Sequence, residues 1–203
     1  MISDSEIWVI MCTGLDWHPH QVQSFKSNKE KKMAKVNKKV VTGKVRFSYA
    51  NVFQAVASEE GKTPKYSVSI IIDKSDKETI AKLNAAFEEV KAGSGPFFGG
   101  AVPKGLKGGL RDGDAEKDDE AYQGAFFINA NSVQKPGVVD ADLNPIIDPD
   151  EFYSGCYGRA SLTFYPYNSN GSKGIACGLG NLQKLEDGER LGGGSSAATD
   201  FAV

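Results

Sequence analysis

Across residues 156–167 the side chains change character at every step. Cys156, Gly158, Ala160, Leu162 and Phe164 form one set, and Tyr157, Arg159, Ser161, Thr163, Tyr165 and Tyr167 form the other. Successive side chains of an extended chain point to opposite sides. A period of two held over this length therefore predicts a strand with one face on a core and one outside it. The same period recurs at 40–53, where Lys44, Arg46 and Ser48 alternate with Val45, Phe47 and Tyr49. It recurs again at 65–72, where Lys65, Ser67 and Ser69 alternate with Tyr66, Val68, Ile70 and Ile72. Further strands are predicted at 125–133 and 174–185.

One segment breaks the pattern. Ile80, Leu83, Phe87 and Val90 recur at helical spacing, with Ser75 and Glu78 placed as a capping box and Gly93 as the stop. The stretch 93–124 is irregular and dominated by glycine and charge, and 136–152 is a long loop rich in Pro and Asp. Loops of that length in a compact domain are usually functional or partly disordered. Five or so strands with one helix inserted after the second or third, plus long loops, fit an oligonucleotide-binding (OB) fold, a five-stranded Greek-key barrel. A β-sandwich with a decorating helix is the alternative.

The folded unit is expected at about 40–185, within a domain spanning 33–188. Residues 1–32 hold both tryptophans and both histidines and end in a polar run, which sets them apart from the rest of the chain. Lys29-Glu30 can be encoded by a ribosome-binding sequence a few codons before Met33, so the expectation is a start at Met33 with 1–32 as a non-native or disordered extension. Residues 189–203, with Gly192-Gly-Gly-Ser-Ser, are expected to form a flexible tail. No run approaches the ~20 apolar residues that span a membrane, and the N-terminal segment makes a poor signal peptide, so the expected location is the cytoplasm. Cys12, Cys156 and Cys177 have neither metal spacing nor a disulfide framework.

Catalytic signatures are scarce. With His18 and His20 both in the leader, the domain has no histidine for base or metal work, and no glycine-rich run ends as a phosphate loop does. Asp112, Asp114, Glu116, Asp118, Asp119 and Glu120 are the one cluster that suits a metal-dependent nuclease, the enzymatic alternative. Asp140-Ala-Asp142-Leu-Asn144 starts like a calcium loop but has Pro145 where glycine is required. No cofactor and no metal site is implied.

Binding features accumulate instead. Net charge is −2, yet the chain through Arg111 carries 18 basic and 11 acidic residues, and the remainder 6 basic and 15 acidic. A near-neutral total thus leaves room for a basic groove, because binding answers to the local field. Lys44, Arg46, Lys65, Arg159 and Lys173 are placed to neutralise phosphates, with Lys104, Lys107 and Arg111 on a loop able to clamp a strand. Tyr157, Tyr165 and Tyr167 supply rings on which bases stack, at ~1–3 kcal/mol each. Gly174, Gly178 and Gly180 leave a smooth patch on the last strand, and of Phe126 and Phe127 one is expected in the core and one in the groove.

Several motifs together resemble a known family. They are Thr42-Gly-Lys-Val-Arg-Phe-Ser-Tyr49, Tyr66-Ser-Val-Ser-Ile-Ile-Ile-Asp-Lys74 and Ala125-Phe-Phe-Ile-Asn-Ala130, followed by Tyr153-Ser-Gly-Cys-Tyr-Gly-Arg-Ala160, Phe164-Tyr-Pro-Tyr-Asn168 and Lys173-Gly-Ile-Ala-Cys-Gly-Leu179. In this order, over 40–185, they resemble a family of bacteriophage single-stranded-DNA-binding proteins first catalogued as a domain of unknown function. The resemblance implies an OB-fold protein, not an enzyme, that coats single-stranded DNA without strong sequence preference in phage replication, recombination or repair. Phage or host replication proteins and a second copy of the chain are its candidate protein partners, and a virion structural or protein-interaction module is the remaining alternative. The tail after Arg190 has only Asp200 as an acid, so tail-mediated recruitment is not expected.

Overall fold

The computed structural model describes residues 37–57, 59–169 and 171–192. The expectations for 1–32, including the start at Met33, and for 193–203 lie outside the described residues. Strands β1 (Lys38–Val41), β2 (Val45–Val56) and β3 (Lys65–Asp73) lead into helix α1 (Lys77–Gly93). Next come β4 (Arg111–Asp112), a single-turn α2 (Gly113–Glu116), a 3-10 turn at Glu120–Tyr122, and β5 (Ala125–Ser132). β6 (Val138–Val139), β7 (Tyr157–Ser169) and β8 (Ser172–Glu186) complete the order.

Five of these strands close on themselves. β2 pairs with β3 and with β7, β3 pairs with β5, and β7 pairs with β8, all antiparallel. β5 pairs with β8 in parallel, through Asn131 and Gly178. The ring β2–β3–β5–β8–β7 is the Greek-key order of an OB barrel. Closure rules out the sandwich, which needs two separate sheets.

The alternation in β7 is realised residue by residue. Gly158, Ala160, Leu162 and Phe164 are buried, while Tyr157, Ser161, Thr163, Tyr165 and Tyr167 are half-buried and Arg159 is exposed. The buried set joins Phe47, Val68, Ile70, Ile72, Ile128 and Leu182 in the barrel core. Cys156 and Cys177 are free and buried there, and burial pushes the Cys177 thiol up to about 12.

Helix α1 closes one end of the barrel with Leu83, Ala86 and Val90, and Phe87 meets the edge of Phe164 at 6.2 Å. Its cap is Asp76, whose carboxylate accepts from Thr79 N, rather than the expected Ser75. The Ser75 amide is already bound to the Asp73 carboxylate at 2.7 Å, so the chain turns in one residue later. Gly93 is the last helical residue, and Ser94 caps the end through its amide and hydroxyl on Lys91 O. The Thr79 hydroxyl accepts from Gly43 N at 3.0 Å, and a Cβ on Gly43 would stand 2.5 Å from it. This close approach breaks the predicted 40–53 strand into β1 and β2.

Two further expectations are corrected. Tyr49 belongs to the core-facing set by alternation, yet it is 59% exposed with φ of +48°. The β2–β3 register shifts between Ser48 and Asn51, so a bulge turns Tyr49 out and restores Val52 to the core. The 136–152 loop is neither open nor irregular throughout. Val138, Ile146 and Phe152 are buried, β6 pairs with β8, and Phe152 stacks on Phe47 at 5.1 Å. Contacts with the barrel also run past 185, since Leu191 N donates to Ser154 O at 2.7 Å.

Leu162→Ala removes a fully buried side chain from the strand that closes the ring. It should cost about 2–5 kcal/mol, read as a lower midpoint in equilibrium urea unfolding.

Candidate nucleic-acid interface

The outer side of β2, β3 and β5 forms an open groove floored by short polar side chains. Asn51 stands opposite Ser67, Ser67 opposite Asn131, and Ser69 opposite Asn129. Two hollows meet at Ser67. The larger, about 470 Å³, lies between Lys62, Lys65, Asn51 and Asn131. The smaller, about 330 Å³, lies between Tyr49, Lys117, Ser69 and Asn129. No carboxylate among the described residues lines either hollow, although Glu59 pairs with Lys62 at the rim of the larger at 2.7 Å. Three ammonium groups over a floor of amides and hydroxyls suit an anionic chain with hydrogen-bonding bases.

A wall built from residues 111–124 ends the groove. Ile71 and Phe127 project outward from the barrel, but Tyr122 covers them and Phe127 is fully buried, its ring edge-on to Tyr122 at 5.2 Å. Phe126 lies on the other side of its strand beneath Lys74, so neither phenylalanine enters the groove. The Tyr122 hydroxyl bonds Ser69 Oγ at 3.1 Å. Lys117 stands on this wall with Nζ 5.4 Å from the centres of both the Tyr49 and Tyr122 rings.

The acidic cluster builds that wall. Asp112 and Asp114 bracket Lys74 at 2.7 and 2.6 Å, and Asp114 also accepts from Gly124 N at 2.8 Å. Asp119 caps the 3-10 turn through Ala121 N, and Glu116 pairs with Arg111. Lys74 and the Gly124 amide hold the Asp114 carboxyl below its ordinary range. No group of three His, Cys, Asp or Glu residues among the described residues is placed to hold a metal ion.

Beyond β5 the same surface continues onto β8 and β7. Gly178 stands opposite Asn131 on one side and Thr163 on the other. The glycines do not leave the bare patch expected of them. A Cβ on Gly178 would meet the Tyr165 ring at 3.1 Å, and one on Gly174 would meet the Tyr167 ring at 2.7 Å. Tyr165 and Tyr167 therefore lie across the glycines of the neighbouring strand, which explains their half-burial. Burial raises the Tyr165 hydroxyl above its usual pKa.

The remaining sequence-selected residues fall into separate places. Lys104, Lys107 and Lys173 come together around a cavity of about 430 Å³ at the β7–β8 turn, where Ile175 N donates to Lys107 O at 2.8 Å. Arg111 is on the wall instead, paired with Glu116 over the Phe127 ring. Lys44 and Arg46 flank the Tyr157 ring at 5.3 and 5.5 Å. The last residue of β8 and the segment after it already engage all three: Lys44 pairs with Glu186, Arg46 donates to Glu189 O at 3.0 Å, and a Cβ on Gly188 would touch the Tyr157 ring at 2.8 Å. Tyr157 thus stands apart from Tyr165 and Tyr167. Only Lys65 of the expected cations lines the groove, and Arg159 is exposed on β7.

The closed barrel, its groove and the residues along it make comparison with known proteins informative. Residues 38–203 match the family of the Enterobacter phage Enc34 ssDNA-binding protein. The chain belongs to this family. A solved structure of the bacteriophage Enc34 single-stranded DNA-binding protein in complex with ssDNA is 24% identical, with a TM-score of 0.66 over 76% of this chain and 89% of that one. The bacteriophage T7 single-stranded DNA-binding protein gp2.5 shares the fold at 15% identity and a TM-score of 0.55, over 81% of this chain and 94% of that one. The p50 protein of Acyrthosiphon pisum secondary endosymbiont phage 1 is 28% identical over 169 residues, covering 80% of this chain and 91% of that protein.

In this Enc34-family chain the groove residues that sequence reasoning missed are Tyr49, Lys62, Lys117, Asn129 and Asn131. Asn129 and Asn131 carried a usable signal, being the polar positions that alternate with Ile128 and Ala130 in β5. Tyr49 carried none, because the bulge that exposes it has no glycine or proline to mark it.

The Asp114 carboxylate contributes to the wall only while ionised, and its folded pKa is depressed. Its contribution is therefore present above the unfolded value of 3.8 and lost as pH falls through the lower folded value. Hydrogen exchange at the Gly124 amide should accelerate across that acid window beyond the intrinsic rate. In Asp114→Asn the excess pH dependence should vanish.

Proposed function

We propose that this chain binds single-stranded DNA along the groove, coating it without strong sequence preference during phage DNA replication, recombination or repair. The observation that carries the reading is a groove on the β2–β3–β5 face of a closed OB barrel whose described lining holds Lys62, Lys65 and Lys117 and no carboxylate, with Lys62 paired to Glu59 beside it. That face is the one OB folds use for oligonucleotides. Membership of a family described by ssDNA binding, and a structural relative solved with ssDNA bound, support it.

In this mechanism Lys62, Lys65 and Lys117 neutralise phosphates, and Asn51, Ser67, Asn129 and Asn131 bond sugar or base edges. Tyr49 offers one ring face to a base with Lys117 beside it. Tyr165 and Tyr167 extend the track, each with one face backed by a glycine and the other available for stacking, and Arg159 adds a cation on the same side of β7. Stacking and phosphate contacts are indifferent to base identity, which accounts for broad binding. The role is that of a binding protein rather than an enzyme, acting in the host cytoplasm. No helix among the described residues is long and apolar enough to cross a membrane.

Titration of the full chain into labelled oligo(dT) and a duplex of equal length, at low and high salt, tests this directly. Preference for the single strand, weakening with salt and without cleavage, is the expected result. Magnesium-dependent degradation would replace binding with nuclease chemistry. Tyr49→Ala should weaken binding to all sequences by about tenfold, in line with loss of one stacked base. Lys117→Ala should reduce the salt slope by about 0.7, the value for one phosphate contact on a single strand.

A further inference from the structure

The two ends of β8 carry opposite chemistry. At its start, Lys104, Lys107 and Lys173 surround the cavity whose apolar walls are Pro103 and Leu106. None of these lysines has an ion-pair partner among the described residues. Near its far end, Leu182 and Gln183 pair with β6, and the Gln183 amide holds the carbonyls of Asp140 and Ala141 at 3.3 and 3.2 Å. From there the 140–151 loop carries Asp140, Asp142, Asp148, Asp150 and Glu151, and no lysine or arginine occurs from 136 to 158. Lys184 and Arg190 reach the loop at the backbone carbonyls of Glu151 and Asp150, not at its carboxylates.

That acidic loop also holds two large aliphatic side chains in water. Leu143 is 69% exposed and Ile147 is 82% exposed. Leu143 has φ of +69°, an unfavourable conformation for a leucine, and the Asp140 carboxylate fixes the turn by accepting from Asp142 N and Asn144 N at 2.9 and 2.8 Å. The barrel gains nothing from presenting them this way. Neither residue lines the hollows of the groove.

We propose that the 140–151 loop docks into the lysine cavity of a second copy of this chain, head to tail. Leu143 and Ile147 would meet Pro103, Leu106 and the lysine stems, while the carboxylates meet the three ammonium groups. The two surfaces differ and lie at opposite ends of one strand, so the contact is heterologous. It leaves one surface of each kind free on every pair, and propagates as an open row wherever the rotation between copies does not close a ring. An open row matches a linear polymer. The purpose of the contact therefore rests on the single-strand-binding reading above: neighbours held on one DNA strand face each other at high effective concentration, and a small contact becomes cooperative coating. This use of Lys104, Lys107 and Lys173 competes with the clamp expected of them, and the apolar walls of the cavity together with the complementary loop favour it.

The test compares the full chain on an oligo(dT) that holds one copy and on long poly(dT). Leu143→Asp/Ile147→Asp should bind the short oligonucleotide as the wild type does, yet lose about tenfold or more in apparent affinity for the long one. Asp142→Lys/Asp148→Lys should lose cooperativity likewise, and adding Lys104→Glu/Lys173→Glu in the same chain should restore it. Unchanged clustering of the Leu143/Ile147 variant on poly(dT) overturns the proposal. So does an equal loss by Lys104→Glu/Lys173→Glu on both substrates, which makes the cavity a phosphate site. If the wild type binds no single strand at all, the functional reading fails instead. The contact is then judged from sedimentation of the free chain at high concentration, where reversible association abolished by Leu143→Asp/Ile147→Asp sustains it and a monomer throughout overturns it.

Discussion

The parallel pairing of β5 with β8 closes this molecule, and the rest of the structure depends on it. Without it, β8 would be held by β7 and the short β6 alone, and the sheet would end in two open edges. With it, five apolar strand faces share one interior and their outer faces become a continuous wall. The register places Asn51, Ser67, Asn131, Gly178 and Thr163 at one level around that wall. A polymer crossing the groove can therefore pass from the asparagine floor to the tyrosine rings without leaving the surface.

Two local distortions turn a generic barrel into a defined site. The bulge at Tyr49 delivers an aromatic ring to a face otherwise made of amides and hydroxyls. The 111–124 segment buries Ile71, Tyr122 and Phe127 against the outside of the barrel and so limits where the groove ends. Its stability is electrostatic at the edges, through Lys74 with Asp112 and Asp114, and apolar at the centre. Of the six acidic residues that suit a metal site in sequence, Asp112, Asp114, Glu116 and Asp119 are thereby engaged as caps and ion-pair partners. The charge asymmetry of the chain finds a spatial counterpart as well, with Lys104, Lys107 and Lys173 at the start of β8 and the acidic 140–151 loop beside its far end, where Lys184 pairs with Asp187 and Lys44 with Glu186.

Much of the architecture was legible because it is local. Alternation in β3, β5, β7 and β8, and the 3.6 period of α1, are properties of contiguous residues. Burial follows the alternation along β7, whereas in β3 and β5 the outer residues Ser69, Ile71 and Phe127 are buried too, beneath the 111–124 wall. Site residues were less legible. Lys44, Arg46 and Tyr157 share a polar face, but the end of β8 and the segment that follows it already engage them. Arg111 comes soon after two loop lysines in sequence and lies on a different surface from them. The glycines of β8 read as open space, whereas tyrosines of the adjacent strand fill it.

Sequence alone determined the fold class, the core faces of the strands other than the bulged β2, the inserted helix and the family, because each rests on periodicity or on contiguous motifs. Tertiary structure alone decided which cations and aromatics share a surface. That choice depends on strand register, on one unmarked bulge and on which loops pack back over the barrel. Those are set by contacts between residues distant in the chain, and no local pattern encodes them.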